Sequence, residues 1–220
     1  MGTAKRMVIV GYRLAAAAVA ATAITVQFHK TIGQGGSPVN FFSFFTIQSN
    51  LFAVVVFAIG ATLLLTHTTW QRFAYIRGAA AMYMLMTGII FALLLSGKQE
   101  AVQTTIPWVD TMLHRVFPII LGVDWLVDAP RQRLSYRWAL VWLIYPLLYF
   151  AYSLIRGAAV HWYPYPFLNP AHGVVKLVVT SVIICVACLG LVWLLTIRSA
   201  WLHTGQGRGV VRTPRQKSNT

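Results

Sequence analysis

Hydrophobic residues in this chain come in long, unbroken runs separated by short polar stretches. A helix that crosses the hydrocarbon core of a bilayer needs about 20 mostly apolar residues. Six runs meet that length, at roughly residues 7–27, 42–66, 77–95, 108–127, 138–155 and 174–196. They are continuous, without the period-two alternation of the short strands in a membrane barrel. The fourth run is the most polar: it holds Asp110, His114, Arg115 and Asp124, and Pro118 interrupts its middle. The pattern predicts an all-α, polytopic integral membrane protein with six transmembrane helices within residues 1–198, followed by a basic, disordered tail over 199–220. The connections are too short for a separate soluble domain. No small-residue cleavage site follows the first run, which reads as a retained span and not a removed signal peptide.

Composition narrows the class. Hydrophobic residues make up 58% of the chain and charged residues 10%, against about 45–50% and about 25% in soluble domains. Mean hydropathy is +0.67. A soluble enzyme lacks the charges to cover its surface at this composition, and a disordered chain lacks the hydrophobicity. The balance of 18 basic to 4 acidic residues suggests nucleic acid in a soluble protein. Here the cations fall between and after the apolar runs, which is the pattern of membrane topology and of contact with anionic lipid, not of nucleic-acid binding. Twelve of them flank one side of the six spans: Lys5, Arg6, Arg72, Arg77, Arg131, Arg133, Arg137, Arg198, Arg208, Arg212, Arg215 and Lys217. Three flank the other: Lys30, Lys98 and Arg156. Both termini are therefore expected in the cytoplasm. Arg13, inside the first span, is expected to reach the inner interface or to pair with Asp124.

Polar residues within a membrane protein are costly and are functional candidates by default. The second run opens with Phe-Phe-Ser-Phe-Phe-Thr-Ile-Gln-Ser-Asn-Leu, residues 41–51. On one continuous helix Ser43, Thr46 and Asn50 share a face, with Gln48 and Ser49 pointing elsewhere. Asp110 and His114, four residues apart in the fourth run, also share a face. Residues 161–172 connect the last two runs and contain three prolines, so this loop is expected to be stiff and extended. Topology puts all these groups in the outer half of the bilayer. The available chemistry is ester hydrolysis or acyl transfer: a Ser43 or Thr46 hydroxyl as nucleophile, His114 as its base, and Asp110 orienting the ring. Asn50, Gln48 or Arg115 would stabilise an oxyanion. The competing interpretation is that these residues glue helices together. Cys185 and Cys188 have redox-motif spacing but lie in an apolar run without a matching histidine, and read as packing. The glycines around residues 205–209 have no strand before them and are no phosphate loop. No cofactor site is expected.

Three segments, residues 41–51, Met112-Leu-His-Arg-Val-Phe-Pro118 and Trp162-Tyr-Pro-Tyr-Pro-Phe-Leu168, together resemble the androgen-induced and FAR-17a-like family of multi-span membrane proteins, in particular its bacterial branch. Their order and placement agree over most of the chain apart from the two tails. Animal members of that family are intramembrane hydrolases of lipid esters, using a threonine and a histidine. The resemblance implies a bacterial plasma-membrane protein with His114 as base and a lipid ester as substrate. Matching the phenylalanines places the family threonine on Ser43, whereas Thr46 preserves the residue type one turn later. The rival expectation is a non-catalytic membrane protein, a lipid-binding or scaffold subunit. In either case the partners are membrane lipids. A transporter ranks third, because no internal repeat is visible.

Overall fold

A computed structural model describes the backbone of residues 2–97, 104–130 and 132–204, with side chains as far as Ile197. No strand occurs among the described residues, and the protein is an all-α polytopic membrane protein. Helix α1 is Thr3–Gly33, α2 is Pro38–Phe42, α3 is Phe45–Leu65 and α4 is Phe73–Ile90, extended by a π turn over Phe91–Leu95. A composite helix follows: α5, Pro107–Thr111, a second π turn, Met112–Val116, and α6, Phe117–Val127. Next come α7, Tyr136–Ala139, a 3-10 turn at Leu140–Leu143, and α8, Ile144–Val160. The last helix, α9, is Val174–Thr204.

Five stretches are long and apolar enough to cross a membrane: Thr3–Gly33, Phe45–Leu65, Phe73–Leu95, Tyr136–Val160 and Val174–Ile197. They match five of the six expected spans. The remaining expected span, residues 108–127, is helical throughout but carries four ionisable side chains and is built from three pieces. The tail expected to be disordered from Ser199 begins as helix, with α9 running to Thr204; residues 205–220 lie outside the described residues.

Of these five stretches Phe73–Leu95 is the most enclosed, and Tyr136–Val160 and Val174–Ile197 are the least. Small residues let the inner helices approach closely: Ala16, Ala17, Ala20 and Ala23 on α1, Ala53 and Ala61 on α3, and Ala79, Ala80 and Ala81 on α4 are all buried. Gly78 is the sharpest case, since a Cβ there would lie 2.3 Å from the Trp142 ring. The outer faces of α8 and α9 expose Leu147, Leu148, Ile155, Val175, Val179, Val182 and Ile183, as lipid-facing surface should. Lys5 near the start of α1 reaches the carbonyl of Val127 at the end of α6, and Trp125 donates to the carbonyl of Leu195 on α9. The start of α1 and the latter part of α9 thus lie at the same end of the bundle.

Candidate functional site

The second apolar run does not form one continuous helix. Ser43 ends α2, Phe44 is extended (φ −76°, ψ 129°), and α3 begins at Phe45. The expectation that Ser43, Thr46 and Asn50 share one helical face is therefore corrected: Ser43 belongs to a separate short helix. The break exposes backbone N–H groups that water cannot reach in a membrane and that Phe44, at the cap position, cannot satisfy. Two tyrosines do this instead. The Tyr149 hydroxyl accepts from the Phe45 N–H at 3.2 Å and donates to the Ser43 carbonyl at 3.0 Å. The Tyr165 hydroxyl accepts from the Thr46 N–H at 3.2 Å and lies 3.3 Å from Thr46 Oγ1. Burial raises the Tyr165 hydroxyl above the ordinary tyrosine pKa, which keeps it a neutral hydrogen-bonding group.

The two candidate nucleophiles have different surroundings. Ser43 Oγ lies 2.6 Å from the Val39 carbonyl and 2.8 Å from the Tyr152 hydroxyl, against α8. Thr46 lines a small apolar cavity of about 80 Å3, enclosed also by Thr87, Tyr149, Tyr165, Phe167 and Cys188. Neither Ser43 nor His114 lines it.

The base is built on the composite helix. His114 Nδ1 lies 3.1 Å from Asp110 Oδ1 and 3.2 Å from the Asp110 carbonyl, as the four-residue spacing predicted. Asp110 Oδ1 also accepts from Thr104 Oγ1 at 2.7 Å. The imidazole stacks on Phe91, with centroids 4.3 Å apart and planes at 19°. Phe91 starts one π turn and His114 lies in the other, so the two irregular turns meet at these rings; such turns occur often at functional sites. His114 Nε2 is buried and makes no hydrogen bond.

Asn50 links the two halves. Its Nδ2 donates to the Thr46 carbonyl at 2.8 Å and to the Leu113 carbonyl at 3.2 Å. Within a π turn the donor to the Leu113 carbonyl would be residue 118, but Pro118 has no N–H, and the Asn50 amide takes its place. Because both partners are carbonyls, Nδ2 must face them, and Oδ1 is left buried without a hydrogen bond. Gly88 lets α4 approach here, since a Cβ would lie 3.1 Å from Pro118.

Asn50 thus ties the backbone of Thr46 to that of Leu113, the residue before His114, and Asp110 holds His114, while Ser43 packs against Tyr152. His114 makes no direct hydrogen bond to Ser43 or Thr46, contrary to the simplest expectation for a base and its nucleophile. Gln48 and Ser49 are engaged elsewhere: Gln48 accepts from Tyr145 at 2.5 Å and Ser49 lies 3.0 Å from Thr87 Oγ1. Arg115 is exposed and sits over Phe91 at 5.3 Å. Sequence reasoning missed Tyr149, Tyr152, Tyr165, Thr104 and Phe91. The only available signal was the aromatic Trp-Tyr-Pro-Tyr segment. That loop is not extended throughout: 3-10 turns at Pro166–Leu168 and Pro170–His172 fold it so that Tyr165 and Leu168 are buried.

At the other end of the bundle Arg13 and Asp124 pair as one of the two expectations had it, with Nε 2.7 Å from Oδ1. Arg13 also meets Asp128 at 2.7 Å, and Arg77 meets Asp124 at 2.8 Å and Asp128 at 3.2 Å. Tyr12 donates to Asp124 as well. Each carboxylate thus bridges two guanidiniums, tying α1, α4 and the end of α6 together. Cys188 is buried and Cys185 exposed, and both are free thiols. Among the described residues no group of three His, Cys, Asp or Glu is placed to hold a metal ion.

Fold and site together define an all-α polytopic membrane protein with a buried Asp–His pair inside the helical bundle. No family model matches the chain, and no significant match is found among curated proteins or solved structures.

Proposed function

We propose that this protein is an intramembrane hydrolase of a lipid ester, with His114 as general base and Thr46 as nucleophile, and that it resides in a bacterial plasma membrane with both termini cytoplasmic. The observation that carries the reading is the His114 ring. Its Nδ1 is held by Asp110, while its Nε2 is buried with no protein partner. A carboxylate on one ring nitrogen selects the tautomer that leaves the other nitrogen able to accept a proton. Leaving a buried polar atom unsatisfied costs about 1–3 kcal/mol, so an unpaired ring nitrogen calls for an explanation.

Thr46 is favoured over Ser43 because Thr46 lines an apolar cavity, whereas Ser43 is engaged with Val39 and Tyr152. The resemblance to lipid-ester hydrolases supports the same residue type. In the acyl-transfer step Thr46 Oγ1 bonds to the ester carbonyl carbon, and its proton passes to His114 Nε2 directly or through one water. The alkoxide leaving group departs with that proton. Water then hydrolyses the acyl-threonine, releasing the fatty acid and regenerating the hydroxyl. Covalent labelling of the full-length protein by a fluorophosphonate probe tests the reading. Labelling that requires both Thr46 and His114 supports it; absence of labelling in the parent protein rejects it.

A second reading has its own support. Ser43 with Tyr152, Thr46 with Tyr165 and Ser49 with Thr87 each join two segments of the fold, as expected of a non-catalytic, lipid-binding or scaffold protein. On that reading, substitutions at these sites lower stability and no probe reacts.

A further inference from the structure

A second cavity, of about 470 Å3, opens at the opposite end of the bundle from His114, where α1 begins, α3 ends and α4 starts. It is lined in part by Arg6, Arg13, Arg77, His67, Gln71 and Asp128, and its size falls within the usual range for small-ligand sites. Charge accounting makes it unusual. The chain has four acidic residues. Asp110 is committed to His114, and Asp124 and Asp128 are shared by Arg13 and Arg77. The fourth, Glu100, belongs to the connection between α4 and α5, outside the described residues.

Arg6 is left over. Among the described residues it pairs with no carboxylate. Its NH1 lies 2.8 Å from the His67 ring. A guanidinium can only donate, so this contact uses a neutral acceptor and supplies no negative charge. Arg6 Nε is buried and makes no hydrogen bond. Trp70, stacked on Phe73 with centroids 5.6 Å apart, also lines the cavity and is half exposed. This aromatic placement suits the headgroup level of a bilayer.

We infer that this cavity binds a phosphate group, with Arg6 as its principal ligand. A guanidinium on the cavity wall whose charge no carboxylate among the described residues neutralises presents the planar array of donors that phosphate oxygens take. The phosphate can come from an anionic lipid headgroup or from a soluble phosphate. In either case the site is separate from the His114 centre and does not depend on the proposed hydrolysis.

The test uses the full-length protein in phosphatidylcholine nanodiscs. One arm adds phosphatidylglycerol to the discs; the other adds inorganic phosphate alone. Thermal stability and lipid retained in native mass spectrometry are the readouts. Selective stabilisation and retention of phosphatidylglycerol by the parent protein, weakened about tenfold in apparent affinity by Arg6→Gln, supports the site with a lipid ligand. Stabilisation by inorganic phosphate that Arg6→Gln removes supports it with a soluble one. Arg133→Gln and Arg137→Gln remove the same charge from exposed positions outside the cavity and should leave either preference intact. Absence of any preference in the parent protein overturns the inference, and so does an equal loss in all three variants, which would indicate diffuse attraction.

Discussion

Asp110 Oδ1 stands 3.1 Å from His114 Nδ1, and the same oxygen accepts from Thr104 at 2.7 Å. The carboxylate is thus itself held in place, and the imidazole is locked between it and the Phe91 ring. Asp110→Asn should leave the helix intact while removing the preference for one tautomer. If His114 acts as the base, probe labelling should slow by about 100-fold or more, the scale of general base catalysis. Labelling time courses on matched amounts of folded protein measure this. An unchanged rate would remove Asp110 from the mechanism.

The environments of Thr46 and Ser43 predict opposite phenotypes. Thr46→Ala should abolish labelling, and Thr46→Ala with His114→Ala should be no worse than either alone, because the two act as a unit. Ser43→Ala should keep labelling and lose only a membrane hydrogen bond, about 0.6 kcal/mol on average. Labelling that survives in Thr46→Ala but not in Ser43→Ala would reverse the assignment.

Tyr165→Phe removes the hydroxyl that satisfies the Thr46 N–H. A buried donor left without a partner costs about 1–3 kcal/mol. The variant should therefore lower the melting temperature in detergent. Tyr149→Phe should do the same through the Phe45 N–H. A control, Tyr136→Phe, alters a tyrosine 40% exposed and should have little effect.

Asp124 bridges Arg13 and Arg77 in a buried network. Breaking a buried ion pair by removing one partner costs about 3–5 kcal/mol. Asp124→Asn should consequently reduce folded yield sharply. Arg137→Gln, at an exposed position at the same end, should not. Detergent-solubilised yield and thermal denaturation distinguish the two.

On the proposed topology, which rests on the bias of twelve cations to three, the Trp162–Phe167 loop lies outside the cell. A cysteine introduced at exposed His161 in a background lacking Cys185 and Cys188 should react with an impermeant maleimide in intact cells. One introduced at exposed Arg133 should react only after lysis. The reverse pattern would invert the topology.

Much of the architecture was legible in the residues alone. Run length predicted five of the spans to within a few residues at most ends, because the need for continuous apolar surface in lipid is a local property. The Asp110–His114 pair followed from helical periodicity. The Arg13–Asp124 contact was one of two outcomes that topology left open for Arg13, and the structure shows the pair. The expected face of Ser43, Thr46 and Asn50 did not survive. Nothing in Phe-Phe-Ser-Phe-Phe-Thr marks a helix break, and the break is stabilised by tyrosines more than 100 residues away.

The sequence by itself determined that the chain is an all-helical membrane protein and where five of its apolar segments lie. Those are sums over neighbouring residues. Tertiary structure alone decided that Tyr149 and Tyr165 cap α3, that Asn50 takes the Leu113 carbonyl left open by Pro118, and that Thr46 lines a cavity while Ser43 packs against α8. Each of these depends on how helices are rotated about their axes and which neighbours they meet. In a membrane every backbone polar group must find a partner within the protein, so such distant pairings are obligatory, yet no local spacing in the chain encodes them.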